Sequence, residues 1–231
     1  MRVSKEGVPE LRLTETQVDT MEQLCLKRGD VQGYLLVGLM GRRSWRISSI
    51  VGYERDSKYS RRQLVRQPNG SLKEEIEVVT KHYSLPGIRR DDVGDDQVAI
   101  HMKGKKNEPI RVTWQVVPEP YMSRLKELAR KTHFGERLIP WSEQQANRFL
   151  QELAREAGVP RAERIHNHRL RHFFGTHASR ELEGDVPKIQ SLMGHSDSRS
   201  TMIYIAELTP EEERATLAKL QKKRETEELV A

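Results

Sequence analysis

Residues 168–205 read HRLRHFFGTHASRELEGDVPKIQSLMGHSDSRSTMIYI. The spacing predicts helices over 167–183, 186–193 and 199–207, with Gly184 and the Met193-Gly194 turn at the breaks. On the first of these, His168 and Arg171 are three apart and project from one helical face. Arginine supplies a planar, permanently charged fork that matches two phosphate oxygens. Histidine supplies a donor and a proton carrier near neutral pH. Together they could hold a phosphoryl centre as its charge grows in a transition state. Alone, such a pair is a weak signal, since most are surface residues. His195 follows the Met-Gly turn, and Tyr204 comes nine residues later in TMIYI.

A metal site is the competing reading of the same region. Residues 166–177, HNHRLRHFFGTH, contain His166, His168, His172 and His177. His168 and His172 share a helical face, but His177 lies about 140° off it. A structural zinc ion needs four ligands, and the chain's one cysteine, Cys25, falls in an apolar helical setting. The letters HNH are contiguous and open a helix, whereas an HNH nuclease spreads its ligands along a hairpin and helix. No metal ligand and no cofactor is therefore expected.

The remaining composition sets outer bounds. A chain of 231 residues suggests one large domain or two small ones. It carries 40 Lys+Arg against 34 Asp+Glu, a net charge of +6. This basic balance suits nucleic acid without requiring it. One cysteine excludes a disulfide framework within the chain. No apolar run is long enough for a bilayer, and the N-terminus lacks the apolar stretch of a signal peptide. No membrane partner and a cytoplasmic location are expected, nucleoid-associated in a prokaryote.

Outward from the opening stretch, residues 1–12 read as an irregular lead-in. A helix follows over 14–28, with Thr14 and Gln17 at capping-box spacing and Gly29 as its stop. GYLLVGLM (33–40) reads as a helix buried on all sides, followed by the basic, aromatic GRRSWRISSIVGY. Residues 54–84 carry two alternating runs around Pro68-Asn69-Gly70, a candidate hairpin, and 52–84 is treated as an insertion or flap. The clearest hairpin is 97–116, around a lysine-rich turn. Amphipathic helices are predicted over 119–132 and 142–158, the latter with Ser142 and Gln145 as a capping box. A last helix, 209–230, has Thr209 as cap and Pro210 at its first position. The fold class is mainly α with a small antiparallel β-sheet (α+β).

HRLRHFFGTH, LMGHSDSRS and TMIYI, in that order, resemble the signature of the tyrosine recombinase, or phage integrase, family: HxLRH…TH, LGHS and TxxIY. The similarity is strongest over about 165–206 and extends more weakly over most of 13–206. It implies the family's catalytic-domain fold over 13–208, and a site-specific recombinase that cleaves and rejoins double-stranded DNA without metal or nucleotide. Tyr204 would be the nucleophile forming a 3′-phosphotyrosyl link. Arg171 and His195 would contact the non-bridging oxygens, and His168 would assist proton transfer. MKGKKNEPIRV fits the family's β-hairpin lysine through Gly104-Lys105, so Lys105 would be the general acid for the leaving 5′-oxygen, with Lys103 and Lys106 as rivals or backbone contacts. WRISSI best matches the arginine motif LRISEL, which favours Arg46; Arg42 and Arg43 would be phosphate contacts or surface charges. His166, His172 and His177 are outside the catalytic set.

Two departures stand out. Residues 52–84 lengthen the segment before the hairpin, and helix 14–28 resembles the start of the catalytic domain itself, so the family's N-terminal core-binding domain is expected to be missing from a chain that is either a fragment or a natural short form. The resemblance also implies a homo-oligomer, a tetramer, on DNA, with 209–231 either exchanged between protomers or packed on its own domain. The alternatives are a type IB topoisomerase-like relaxing enzyme and a DNA-binding regulator with a decayed site.

Overall fold

The computed structural model describes residues 12–67, 71–103, 109–195 and 198–205, the side chains at 57, 59, 81 and 203–205 excepted. Both helices predicted over 14–28 and 33–40 form. α1 (Glu15–Lys27) is opened by the reciprocal bonds of Thr14 and Gln17. α2 (Val31–Gly41) is capped by Asp30, whose side chain accepts from Gly33 N at 2.8 Å. Gly33 through Gly41 of α2 are all buried, which makes it the central helix of the core. Two of its glycines admit rings. A Cβ at Gly33 would stand 2.3 Å from Phe149, and one at Gly38 would stand 2.1 Å from Tyr121. Close packing of those aromatics offsets the roughly 1 kcal/mol that glycine costs inside a helix.

Around α2 lie α4 (Tyr121–Lys131), α5 (Glu143–Glu156) and α6 (Asn167–Glu181). α5 starts at the Ser142–Gln145 capping box predicted from sequence. The shared core includes Val18, Met21 and Cys25 of α1, Leu125 of α4, Leu150 and Leu153 of α5, and Leu170 of α6. A smaller cluster of Phe174, Ala178, Ile189 and Met193 joins α6 to α7 (Val186–Met193). α8 (Arg199–Ile205) follows. Among the described residues no helix is long and apolar enough to cross a membrane.

Two separate two-stranded antiparallel sheets accompany the helices, one at each of the two hairpins read from the sequence. β3 (Gln97–Met102) and β4 (Arg111–Val116) pair in the predicted hairpin, with Val98 and Ile100 buried in the core. The second sheet comes from the segment read as an insertion or flap. β1 (Tyr53–Arg66) and β2 (Leu72–Leu85) pair antiparallel from Tyr53↔Leu85 to Arg66↔Leu72. This register puts Leu64, Leu72, Ile76 and Val78 on one face of the ribbon, each more than 60% exposed. The ribbon leaves the body where α3 (Ile47–Val51) ends at Gly52, φ 74°, against Gly87, also φ 74°. A Cβ at Gly52 would lie 2.7 Å from the Leu85 carbonyl oxygen, so the two backbones can meet only as glycines. The predicted turns at 68–70 and 104–108, the lead-in through residue 11 and the helix 209–230 lie outside the described residues.

Candidate active site

The site is assembled from four pieces of chain that meet at the start of α6. α6 opens at His166, whose side chain makes no cap bond. The first turn is instead held by α5, where Asn147 Oδ1 accepts from Asn167 N at 2.9 Å. His168 and Arg171 then rise on one face, as the spacing required. Arg171 is only 6% exposed, and its Nη2 donates to the Met193 carbonyl oxygen at 3.2 Å. A buried guanidinium fixed at one edge is held in one orientation.

Met193 ends α7, and the way it ends places His195. Gly194 takes φ 61°, its N–H donates to Ser191 O at 3.1 Å, and His195 N–H donates to Gln190 O at 3.0 Å. This paired closure is a Schellman motif, with the left-handed position given to glycine. It turns the chain so that the next residue comes back over α6. His195 Nε2 lies 3.4 Å from Arg171 Nη2, and its Nδ1 lies 3.0 Å from Thr201 Oγ1. Arginine can only donate, so Nε2 accepts and the ring proton sits on Nδ1, donated to Thr201. Gln190 Nε2 adds a bond to the His195 carbonyl oxygen at 3.1 Å.

Thr201 and Gln190 are participants that the sequence reading gave no role. Thr201 is fully buried and lies on α8, three residues before Tyr204. Its bond therefore ties His195 to the helix that carries Tyr204. The TxxIY spacing was the available signal, because i and i+3 share a helical face. The Tyr204 side chain, Lys105 and Lys106 lie outside the described residues.

Arg46 completes the cleft from the other side. It is the exposed N-cap of α3 and makes no side-chain cap bond. With Ser44, Trp45, Met102, Arg171 and Gly194 it lines one cleft. The loop before it is anchored to β4 through Gln115, whose Oε1 accepts from Trp45 Nε1 at 2.6 Å and from Arg43 Nη2 at 3.4 Å. Arg43 is thus turned toward β4, and burial pulls its guanidinium below the ordinary arginine value. Arg42 is turned farther away. It pairs with Glu15, with Asp19 at 2.7 Å and with Glu22 at 3.4 Å, and lies 5.5 Å over the Phe173 ring. Its charge is engaged by three carboxylates of α1, which pin α1, α2 and α6 together. Lys103 is exposed, with Nζ 4.6 Å over the Tyr83 ring of β2.

The cleft is electropositive, and its histidines register this. Burial first, then Arg171 and Arg46, pushes His195 down to about 4. The same causes, in the same order, hold His168 below the ordinary histidine value. Both rings are therefore neutral at pH 7 in the absence of a bound anion. The other histidines pack. His177 stacks on Phe173 with centroids 6.0 Å apart and lies 3.7 Å from Glu15. His166 stands edge-on to His168 at 5.9 Å. His172 is pushed down to about 4 by burial and by Arg169, His168, His166 and Arg171. Among the described residues no three His, Cys, Asp or Glu side chains converge as metal ligands would.

The depressed histidines predict an acid limb in stability. Unfolded, His172 and His195 titrate near 6.5, while folded they titrate near 4. Between these values the unfolded chain binds more protons, so stability falls as pH drops through the window. After discounting for partial exposure, each ring accounts for on the order of 2 kcal/mol. Thermal melts between pH 7 and pH 4.5 should show a smaller loss in His172→Gln than in the unaltered chain. Parallel curves would contradict the assignment.

Comparison with known proteins agrees with this architecture. Residues 87–211, more than half of the 231-residue chain, match the model of the phage integrase family. The tyrosine recombinase XerC of Alcanivorax borkumensis is 32% identical over 123 residues, 49% of this chain and 38% of that relative. XerC of Pseudomonas aeruginosa is 39% identical over 71 residues, 30% of this chain and 21% of that relative. The chain thus spans well under half the length of these curated relatives. Among solved structures, the XerA recombinase superposes with a TM-score of 0.61 at 18% identity, covering 95% of this chain and 65% of that one. The Tn1549 transposon integrase in complex with a circular intermediate DNA gives 0.54 at 16% identity, covering 94% and 68%. At these identities the two structures establish a shared fold.

Proposed function

The chain belongs to the phage integrase family, and from that premise we propose that it cleaves and rejoins strands of double-stranded DNA through a 3′-phosphotyrosyl intermediate. The observation that carries this reading is the contact between Arg171 and His195 at 3.4 Å, with the same histidine bonded to Thr201 of the helix bearing Tyr204. These contacts support the reading because they join the two proposed phosphate ligands to the helix of the proposed nucleophile.

In the proposed reaction the Tyr204 hydroxyl oxygen attacks the scissile phosphorus and loses its proton, with His168 assisting. The bond to the 5′-oxygen breaks, and Lys105 protonates the leaving group. The phosphodiester is conserved as a tyrosyl ester, so attack by a 5′-hydroxyl reverses the step and restores the proton to tyrosine. Arg171, Arg46 and His195 stabilise the negative charge that builds on the non-bridging oxygens. An entering phosphate also raises the His195 pKa, because an anion favours the charged ring. The ring can then donate from Nε2 to the phosphate while Nδ1 still donates to Thr201.

The proposal is tested on a nicked suicide DNA duplex, which releases the cleaved end and traps the covalent complex. Adduct should form in EDTA with no nucleotide present. Loss of adduct on chelation, restored by a divalent ion, would overturn the mechanism. Residues 209–231 follow the nucleophile's helix, and Ala215, Leu217 and Leu220 give them apolar positions. We assign this segment to a neighbouring protomer of a DNA-bound tetramer. Removing 209–231 should then lower recombination at least ~10-fold more than single-strand cleavage, a coupling of the usual allosteric size. Equal losses in both assays would count against it.

A further inference from the structure

The β1–β2 ribbon is held to the rest of the chain at its root. There Leu85 is buried, Glu54 lies 3.8 Å from Arg137, and Lys103 stands over the Tyr83 ring. Farther out, the pairing register sorts the side chains onto two faces, because directly opposed residues share a face. One face carries Arg61, Gln63, Lys73, Glu75 and Glu77, and its two valines, Val65 and Val79, are half-buried. The other carries Leu64, Leu72, Ile76 and Val78, all exposed.

A two-stranded ribbon is marginally stable in water unless a further strand or helix covers it. A contiguous apolar patch left in solvent marks a contact surface. The charges on the same face say what it meets. Lys58, Arg62 and Arg66 of β1 are matched by Glu54, Asp56 and Glu74, and Asp56 also holds His82 at 2.7 Å. A face with balanced charge does not suit a polyanion such as DNA, which is held by an excess of lysine and arginine. It suits a surface with the same balance, and a second copy of the chain has one.

We propose that this face binds the same face of a second copy, the two ribbons stacked about a two-fold axis parallel to their strands. Such an axis lays β1 of one copy over β2 of the other, rung for rung, so each contact is made twice. Glu74 then falls between Arg62 and Arg66 of the facing β1, and Leu64 falls between Leu72 and Ile76 of the facing β2. Within its own chain Glu74 lies 3.5 Å from Arg62, and a carboxylate has lone pairs for a further donor. At ~3.3 Å per residue and ~10 Å across two strands, the face covers roughly 450 Å² per copy. Twice that area is below the standard size of a stable interface. The pairing is therefore weak between free chains and tightens where another contact, such as a shared DNA, raises the effective concentration. This surface is independent of the strand-transfer reading and of Tyr204.

Sedimentation equilibrium of the full chain without DNA, from ~10 µM to ~1 mM, tests it. A monomer–dimer equilibrium is expected. Replacing Leu64 and Ile76 together by threonine keeps strand propensity and removes apolar area. This pair should raise the dissociation constant at least ~10-fold with the melting temperature unchanged. Glu74→Arg and Arg66→Glu should each weaken association, and an equimolar mixture of the two should associate more tightly than either alone, because opposite charges face each other again. A chain still monomeric at about 1 mM overturns the proposal. So does a dimer that neither the threonine pair nor the charge reversals weaken, which would place the contact elsewhere on the chain. A monomer whose affinity for duplex DNA falls in the threonine variant would assign the face to DNA instead.

Discussion

Tyr204→Phe should abolish the covalent adduct on a suicide duplex while leaving DNA affinity within about twofold. Phenylalanine keeps the ring and removes only the oxygen that would form the ester bond, so there is no partial route to the product. Affinity should persist because most protein–DNA hydrogen bonds go to the backbone, and those donors are untouched. The expected loss of adduct is therefore complete within detection. Adduct persisting in Tyr204→Phe would remove Tyr204 from the nucleophile's role. Adduct lost together with DNA binding would instead mark Tyr204 as a packing residue of α8.

Arg171→Lys should lower single-turnover cleavage by about 10²–10³-fold, the usual cost of losing one preorganised donor to a developing oxyanion. Lysine preserves the charge, so a purely electrostatic role would be largely retained. What it cannot reproduce is the fork. In the present geometry one edge of the guanidinium donates to Met193 O at 3.2 Å and approaches His195 Nε2 at 3.4 Å. A single ammonium cannot satisfy the carbonyl and bind phosphate oxygens in the same positions. Cleavage within about threefold of the unaltered chain, with an unchanged melting curve, would show that charge alone suffices.

How far this was legible depended on the range of each interaction. The capping boxes of Thr14 and Ser142 were readable because both partners lie three residues apart on one helix. Gly194 was readable as a turn, and the structure adds the reason: its left-handed conformation aims His195 back at Arg171. Other features were not readable. Three neighbouring arginines, Arg42, Arg43 and Arg46, are chemically equivalent in sequence, yet they leave the chain in three directions. Arg42 meets Glu15, Asp19 and Glu22 from another helix, and Arg43 meets Gln115 from β4. Only Arg46 is left beside Arg171 and within electrostatic reach of both site histidines.

By itself, then, the sequence determined the helix starts and stops, the hairpin at 97–116, the mainly α class and the order of the motif residues. These depend on local spacing, on capping partners within one turn and on the conformations that glycine alone adopts readily. Tertiary structure decided that Arg42 is held inside the fold and that Thr201 holds His195. Each of those requires residues from distant segments to meet. Their partners are chosen by how the helices pack around α2, and no local pattern encodes that choice.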